Sequence, residues 1–157
     1  MKQYIIYGNG GHSKVIRDII EITGGEIVAV YDENHPYNPE AFPNAEAVIA
    51  IGNNEIRQKI AQEITHTFAT LIHPKAVVAS HAVVGVGSVI LANAVVQEQA
   101  IVGKHCIIQP NVTIDHDAQI GDFSIIYPNS YVGGEAQIVS LATVPPNTIV
   151  GRKTVFS

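Results

Sequence analysis

The sequence of 157 residues lacks tryptophan and contains one cysteine, Cys106. One cysteine cannot form a disulfide within the chain, which excludes the disulfide-framework class of small secreted domains. Aromatic residues make up only 6% of the chain, so aliphatic side chains must fill its core. Because 46% of the residues are hydrophobic and 15% are charged, the composition is that of a folded chain and not of a disordered one.

Basic residues are also scarce, with nine Lys and Arg against fourteen Asp and Glu and a formal net charge of −5. The absence of a basic block argues against a nucleic-acid-binding surface. The first ten residues, MKQYIIYGNG, lack the long apolar run of a signal peptide or a membrane span. We therefore expect a cytoplasmic protein that does not insert into membranes.

What the sequence does contain is a six-residue period between residues 72 and 156. The period places an apolar residue at Ile72, Val78, Val84, Ile90, Val96, Val102, Ile108, Ile114, Ile120, Ile126, Val132, Ile138, Val144, Val150 and Phe156. A small or β-branched residue follows four positions after each of the first fourteen. No helical period keeps this register, whereas a parallel β-helix of hexapeptide repeats does. We predict that the Ile/Val column fills a tube, that the small residues lie at its corners, and that Cys106 is buried.

The first 70 residues follow a different pattern. Apolar runs predict strands at residues 4–7, 26–31, 47–51 and 68–72, and helical spacing predicts helices at residues 13–23 and 54–65. Asn54 is the expected N-cap of the second helix. This β-α-β-β-α-β order predicts a small Rossmann-like α/β unit. We therefore expect two domains, residues 1–70 and 71–157.

A glycine turn at residues 8–11 lies between the first strand and the first helix, where backbone N–H groups can converge on an anion. Asp32 ends the second strand about 20 residues later, where an acidic side chain can bind a ribose hydroxyl. Ser13 replaces the third glycine of a dinucleotide fingerprint, so the pattern does not favour NAD. His12 is a candidate for lining a pocket. The alternative is a tight strand-to-helix turn without a ligand.

His116 is the strongest candidate for a catalytic group. It lies two positions after a residue of the apolar column, in a turn, between Asp115 and Asp117. A neighbouring carboxylate raises the basicity of an imidazole and fixes its tautomer, as a general base requires. The alternative is a surface histidine in a polar turn. We expect His81 and His105, in other repeat turns, to be surface residues.

Four segments carry a resemblance to a known family: IIYGNGGHSKV at 5–15, AIGNNEIRQKI at 50–60, LIHPKAVVAS at 71–80 and VTIDHDAQIGDFS at 112–124. Together they resemble the bacterial sugar O- and N-acyltransferases of the sialic acid O-acetyltransferase and UDP-4-amino-sugar acetyltransferase group. The resemblance covers nearly the whole chain. It implies a left-handed β-helix with three strands per coil, assembled as a homotrimer with acetyl-CoA in a groove between neighbouring β-helices. It also implies that the α/β unit binds a nucleotide-linked amino sugar or a sialic-acid-like sugar, in surface glycan synthesis.

The resemblance also implies residue roles. The general base of the family falls on His116 and its acidic partner on Asp117. The nucleotide-sugar contacts of the family fall on Gly10, Gly11, His12, Asp32, Gly52 and Asn54. The implied reaction is direct attack, in which His116 takes a proton as the sugar amine or hydroxyl attacks the thioester carbonyl of acetyl-CoA. No acyl-enzyme and no metal are expected.

Two departures from the family pattern keep a second reading open. Ile125 stands where some members place a histidine that contacts the acetyl group of the cofactor, so oxyanion stabilisation would fall to a backbone N–H, such as that of Gly134. Residues 139–146 lack the usual I-G turn, and about five coils follow Ile72. Both features favour a catalytically weak nucleotide-sugar-binding or scaffold trimer that retains the fold.

A third reading is a zinc lyase of the γ-carbonic anhydrase kind, which uses the same β-helix. Such a site needs three well-spaced ligands. His105 and His116 stand apart in the sequence and no close histidine pair follows them. We therefore place this reading last.

Overall fold

The computed structural model describes residues 1–157 as a small α/β unit followed by a β-helix. The α/β unit contains β1 (Gln3–Tyr7), α1 (Gly11–Ile22), β2 (Glu26–Tyr31), β3 (Glu46–Ile49) and α2 (Asn54–Glu63). Its three strands are parallel, in the order β2-β1-β3. The predicted fold class, a short α/β part before a left-handed parallel β-helix, is confirmed. Neither helix is long and apolar enough to cross a membrane.

Three local predictions about the α/β unit need correction. The first helix begins at Gly11, two residues before the predicted start. The N-cap of α2 is Asn53 and not Asn54, because the Asn53 side chain accepts the Ile56 N–H at 2.9 Å. Residues 68–72 do not form one strand. Phe68 makes only an isolated bridge to the α/β sheet, and the next strand already pairs within the β-helix.

The β-helix consists of two-residue strands that form three flat sheets. Sheet 1 contains β4 (Leu71–Ile72), β7 (Val89–Ile90), β10 (Ile107–Ile108), β13 (Ile125–Ile126) and β16 (Thr143–Val144). Sheet 2 contains β5 (Val77–Val78), β8 (Val95–Val96), β11 (Thr113–Ile114), β14 (Tyr131–Val132) and β17 (Ile149–Val150). Sheet 3 contains β6 (Val83–Val84), β9 (Ile101–Val102), β12 (Gln119–Ile120), β15 (Gln137–Ile138) and β18 (Val155–Phe156). Each sheet therefore contributes one strand to each of five coils.

The apolar column fills the interior of the β-helix as predicted. From Ile90 to Val150 every member of the column is buried, together with the small residues at the corners from Ala94 to Ala142. Cys106 is one of these corner residues and is fully buried, which confirms the prediction for it. At the open first coil the column is less protected, and Ile72 is half exposed because no coil covers it. Ser88 satisfies its buried hydroxyl by donating to the Gly103 carbonyl at 2.7 Å.

The turns between sheets share one backbone feature. From residue 91 onward, the third residue of each turn has a positive φ although it is not glycine, as at Asn93, Gln99, His105, Asn111, Asp117, Phe123, Asn129, Glu135, Leu141, Asn147 and Lys153. Except at Gln99, the N–H of this residue donates to a carbonyl of the preceding coil, as from Asp117 to Glu98 at 3.2 Å. The left-handed conformation therefore stacks the turns in register, so that equivalent turn residues of successive coils lie next to each other.

Side chains of α2 fix the α/β unit to the β-helix. Asn54 donates its amide to the Leu141 carbonyl at 3.0 Å. Arg57 donates to the His105 carbonyl at 2.8 Å and to the Phe123 carbonyl at 2.7 Å. The three acceptors are equivalent residues in three consecutive turns between sheet 3 and sheet 1. Helix α2 thus docks on one corner of the β-helix.

The prediction that His105 is a surface residue was wrong. Its exposed fraction is 6%, and its ring stacks on Phe123 with centroids 4.9 Å apart and meets Phe68 edge-on at 4.5 Å. Gly87, with φ of 77°, is in close contact with the same ring, because a Cβ there would lie 2.3 Å from Nδ1 of His105. Docking of the α/β unit buries a turn residue that would otherwise face solvent.

The interior column predicts unequal costs for identical substitutions. Ile126→Ala, in the sealed interior, should lower the free energy of unfolding by about 2–5 kcal/mol, the range for a buried isoleucine. Ile149→Ala, at a side chain that is 79% exposed in the same β-helix, should change it by less than about 0.5 kcal/mol. Urea denaturation followed by circular dichroism measures both. Equal losses would contradict the assigned interior.

Candidate functional site

A cavity of about 540 Å³ opens at the carboxyl edge of the α/β sheet. Its walls are the turn after β1 (residues 8–12), the end of β2 (residues 32–34), the turn after β3 (residues 50–52) and the apolar side chains of Ile56 and Ile60. The carboxyl edge is where parallel α/β sheets bind ligands. The structure thus brings five predicted contacts to one cavity: Gly10, Gly11, His12, Asp32 and Gly52. Asn54 does not line the cavity.

The glycine turn leaves backbone donors at the cavity. Gly8 has φ of 111°, and a Cβ there would lie 2.8 Å from the Ala50 carbonyl oxygen, so this position requires glycine. Helix α1 starts at Gly11, and Ser13 closes the turn by donating its hydroxyl to the Gly10 carbonyl at 2.7 Å. The first N–H groups of a helix have no acceptor within the helix, so they are available to an anion.

Asp32 is held in place by its own loop. Its Oδ1 accepts the backbone N–H groups of Asn34 and His35, both at 2.9 Å, and lies 3.2 Å from Nδ1 of the His35 ring. Desolvation raises the pKa of Asp32, but these hydrogen bonds outweigh it, so its pKa lies below the ordinary value. The carboxylate is therefore charged and oriented, and Oδ2 makes no hydrogen bond within the chain.

His12 adds a neutral ring to the cavity wall. Its Nε2 is enclosed and has no hydrogen-bond partner. Burial, together with the nearby positive charge of Arg57, lowers the pKa of His12 to about 4. The ring is therefore uncharged at neutral pH.

His116 lies in the turn between sheet 2 and sheet 3, on the outside of the β-helix. Its Nδ1 is 2.8 Å from Oδ2 of Asp117, and the two side chains are 48% and 47% exposed. A carboxylate can only accept, so Nδ1 carries the proton and Nε2 keeps a free lone pair. The hydrogen bond to Asp117 is the largest cause that raises the pKa of His116 above its ordinary value.

Gly134 lies directly below His116 in the next coil. A Cβ on Gly134 would lie 2.9 Å from Nε2 and 3.0 Å from Cε1 of the His116 ring, so only glycine leaves room for this ring position. The adjacent Glu135 donates its N–H to the His116 carbonyl at 3.1 Å. The N–H of Gly134 itself donates no hydrogen bond within the chain. The structure therefore places a free donor beside the imidazole.

Sequence reasoning missed Tyr131, which supports the same turn. Its hydroxyl donates to Oδ2 of Asp115 at 2.7 Å, and Oδ1 of Asp115 accepts the His116 N–H at 2.8 Å. The Tyr131 hydrogen bond is the first cause that lowers the pKa of Asp115. The coil length of 18 residues could have predicted this contact, because it pairs Tyr131 with Thr113 and so places Tyr131 beside the turn that contains His116.

Ile125 lies elsewhere in the molecule. It faces outward from sheet 1 and is 3% exposed, whereas His116 lies at the corner between sheets 2 and 3. The structure therefore does not bring Ile125 and His116 together. No group of three or more His, Cys, Asp or Glu side chains is placed to hold a metal ion.

The pairing of His116 with Asp117 predicts a measurable change in acidity. Asp117→Asn should lower the pKa of His116 towards about 6.5, the ordinary value for histidine, because the charged acceptor is lost. The signal of the ring protons during an NMR pH titration reports this pKa. Asp122→Asn, in a turn at another corner, should leave it unchanged. A His116 pKa that does not move in Asp117→Asn would show that the pair does not form in solution.

Two family models match the chain. The PglD N-terminal domain matches residues 3–64, and the bacterial transferase hexapeptide (six repeats) matches residues 81–116 and 99–134. The UDP-N-acetylbacillosamine N-acetyltransferase of Bacillus subtilis (strain 168) is 35% identical to this chain. The aligned part covers 59% of this chain and 52% of that protein, so the match spans about half the length of this curated relative.

Solved structures share the fold. The acetyltransferase domain of PglB from Neisseria gonorrhoeae FA1090, in complex with acetyl coenzyme A, has a TM-score of 0.75 at 23% identity, covering 98% of this chain and 95% of that chain. PerB from Caulobacter crescentus, in complex with CoA and GDP-perosamine, has a TM-score of 0.65 at 21% identity, covering 100% and 89%. At these identities the likeness shows the fold alone. Together with the two family models and the curated relative, this likeness supports a sugar acyltransferase of the hexapeptide-repeat family, with a PglD N-terminal domain over residues 3–64.

Proposed function

We propose that this chain is an acetyltransferase that moves the acetyl group of acetyl-CoA to a nucleotide-linked amino sugar or a sialic-acid-like sugar in surface glycan synthesis. The observation that carries the proposal is the exposed His116–Asp117 pair, with Nε2 free, on a β-helix of the bacterial transferase type. The curated relative from Bacillus subtilis is named as an N-acetyltransferase of a nucleotide sugar, which supports the same class of reaction.

His116 acts as the general base in this proposal. Nδ1–H stays bonded to Asp117, while Nε2 takes the proton of the sugar amine or hydroxyl as this group attacks the thioester carbonyl. A C–N or C–O bond forms, and the C–S bond breaks as the tetrahedral intermediate collapses. The departing CoA thiolate receives the proton from Nε2. The free N–H of Gly134 is the candidate donor to the oxyanion.

The cavity of the α/β unit holds the nucleotide part of the sugar substrate. The turn at Gly10, Gly11 and His12 receives the diphosphate at the start of α1. The free Oδ2 of Asp32 accepts a ribose hydroxyl. Gly52 forms the opposite wall, and Asn54 contributes by holding this turn against the β-helix.

The two halves of the proposed site lie at different corners of one chain. The α/β unit is anchored at the turns between sheets 3 and 1, whereas His116 lies between sheets 2 and 3. We therefore propose a homotrimer in which the cavity of one copy faces His116 of the next, with acetyl-CoA in the groove between them. No part of this arrangement requires a metal.

A second candidate is a catalytically weak nucleotide-sugar-binding or scaffold trimer with the same fold. The observation that favours it is that Ile125, at the position where some members of the resembled family carry a histidine, is buried and apart from His116, so it adds no polar side chain beside the base. The two candidates differ in turnover, so an acetyl-transfer assay distinguishes them.

His116→Ala should keep the fold and lower the rate of acetyl transfer by about 10²–10⁴-fold, the typical contribution of a general base. The assay measures release of free CoA from acetyl-CoA in the presence of nucleotide-linked amino sugars. His81→Ala is the matched control, because His81 is also exposed in this row of turns and pairs with Glu98. Undiminished turnover in His116→Ala would remove His116 as the base, and no turnover in the wild type would favour the second candidate.

The shared site predicts complementation between two inactive variants. His116→Ala lacks the base, and Asp32→Ala lacks the ribose acceptor, so each homotrimer should be inactive. Co-expressed chains with different affinity tags should form mixed trimers that regain part of the activity, because an intact cavity then meets an intact His116. Separately purified trimers, mixed after assembly, are the control. Mixed trimers without activity would place both halves of the site in one chain.

A further inference from the structure

Arg57 is buried with no counter-charge. Its side chain is 1% exposed, and it forms no ion pair with any carboxylate. Its hydrogen-bond acceptors are the carbonyls of Ile51, Gly52, His105 and Phe123 and the side-chain oxygen of Asn54. A buried charge is costly unless an opposite charge or a full set of dipoles compensates it. These acceptors satisfy all five N–H groups of the guanidinium, but none of them carries a negative charge, so a ligand anion would supply the missing counter-charge.

The charge lies directly behind the wall of the cavity. Nη1 of Arg57 donates to the Ile51 carbonyl at 2.9 Å and to the Gly52 carbonyl at 3.0 Å, and both of these residues line the cavity. His12 on the cavity wall is close enough for the guanidinium charge to lower its pKa. The lining itself contains Asp32 and Glu33 but no lysine or arginine. Arg57 is thus the nearby source of positive potential for an otherwise acidic cavity.

Two peptide groups carry this potential towards the cavity. In a trans peptide the N–H points opposite to the C=O. Because Arg57 holds the carbonyls of Ile51 and Gly52, the N–H groups of Gly52 and Asn53 point away from the guanidinium. Neither of these N–H groups donates a hydrogen bond within the chain. Adjacent free N–H groups in a turn form an anion-binding concavity.

We propose that Arg57 is a positioning residue whose buried charge acts through the N–H groups of Gly52 and Asn53. From this wall it holds the diphosphate that the turn at residues 10–12 receives on the opposite side of the cavity. The proposal rests on the proposed nucleotide site in this cavity. It assigns Arg57 a role beyond its contact with the β-helix. Contact with the β-helix alone needs only hydrogen-bond donors, whereas an anion site also needs the positive charge. The two roles can therefore be distinguished by comparing ligands of different charge.

The experiment compares a charged and a neutral probe, UDP and uridine, by NMR titration, which measures affinities into the millimolar range. Arg57→Gln keeps hydrogen-bond donors and removes the charge, and Arg57→Lys keeps the charge. Lys59→Gln removes a charge from an exposed position of the same helix and is the matched control. Arg57→Gln should weaken the binding of UDP by about tenfold, because the Coulomb attraction is lost, and should leave the affinity for uridine unchanged. Arg57→Lys should retain most UDP affinity, and Lys59→Gln should retain both affinities.

Each other result is decisive against the proposal. If Arg57→Gln lowers the affinities for UDP and for uridine equally, Arg57 only shapes the cavity. If the affinity for UDP does not change, the charge of Arg57 does not act on the ligand. Wild-type protein that binds neither UDP nor GDP would remove the nucleotide site itself, and with it this role. Should Arg57→Gln fail to fold, the wild type still provides a test. The Nε–H resonance of Arg57 should shift with UDP and not with uridine, and an unshifted signal would overturn the proposal.

Discussion

The structure depends on the hydrogen bonding of each coil to the next at a spacing of 18 residues. This spacing lets two-residue strands, too short to be stable alone, join into five-stranded sheets around one aliphatic column. It also repeats the turn geometry, so a side chain in one coil lies beside its equivalent in the next. His116 owes its position to this repetition. Asp117 fixes its ring from within the turn, and Gly134 leaves space for it one coil below.

The α/β unit uses the same regularity from outside. Asn54 and Arg57 of α2 reach carbonyls that recur at one corner of the β-helix, and Arg57 also holds the turn that forms the cavity wall. The docking of the α/β unit and the shape of the cavity therefore depend on one set of contacts. A change in how α2 lies on the β-helix would move Gly52, and with it the shape of the cavity.

The sequence was sufficient for features that local pattern controls. The six-residue column predicted the β-helix, since each member of the column makes the same contact in every coil. The flanking carboxylates indicated the hydrogen bond of His116 to Asp117, while the role of His116 as a base stays a prediction. The sequence was insufficient for features that depend on the docking of the α/β unit on the β-helix. His105 has the sequence context of an exposed turn, and only the approach of Phe68 buries it. Asn53 and Asn54 are equally good caps by residue type. Tertiary contacts of Asn54 decide between them, because its side-chain oxygen accepts from Arg57 and its NH2 group donates to the β-helix, whereas the oxygen of Asn53 is free to cap α2.

The contacts of α2 with the β-helix determine where a further coil can be added. The carbonyl acceptors of α2 belong to His105, Phe123 and Leu141, which are separated from one another by one complete coil. The contacts of α2 therefore span two coils of the β-helix. A duplicated coil between residues 105 and 141 would leave at least one of these side chains facing the wrong turn. A coil added after residue 141 would leave all three contacts and the place of His116 intact. A repeat added to this β-helix therefore keeps the three contacts of α2 when it follows residue 141, beyond the last anchored turn.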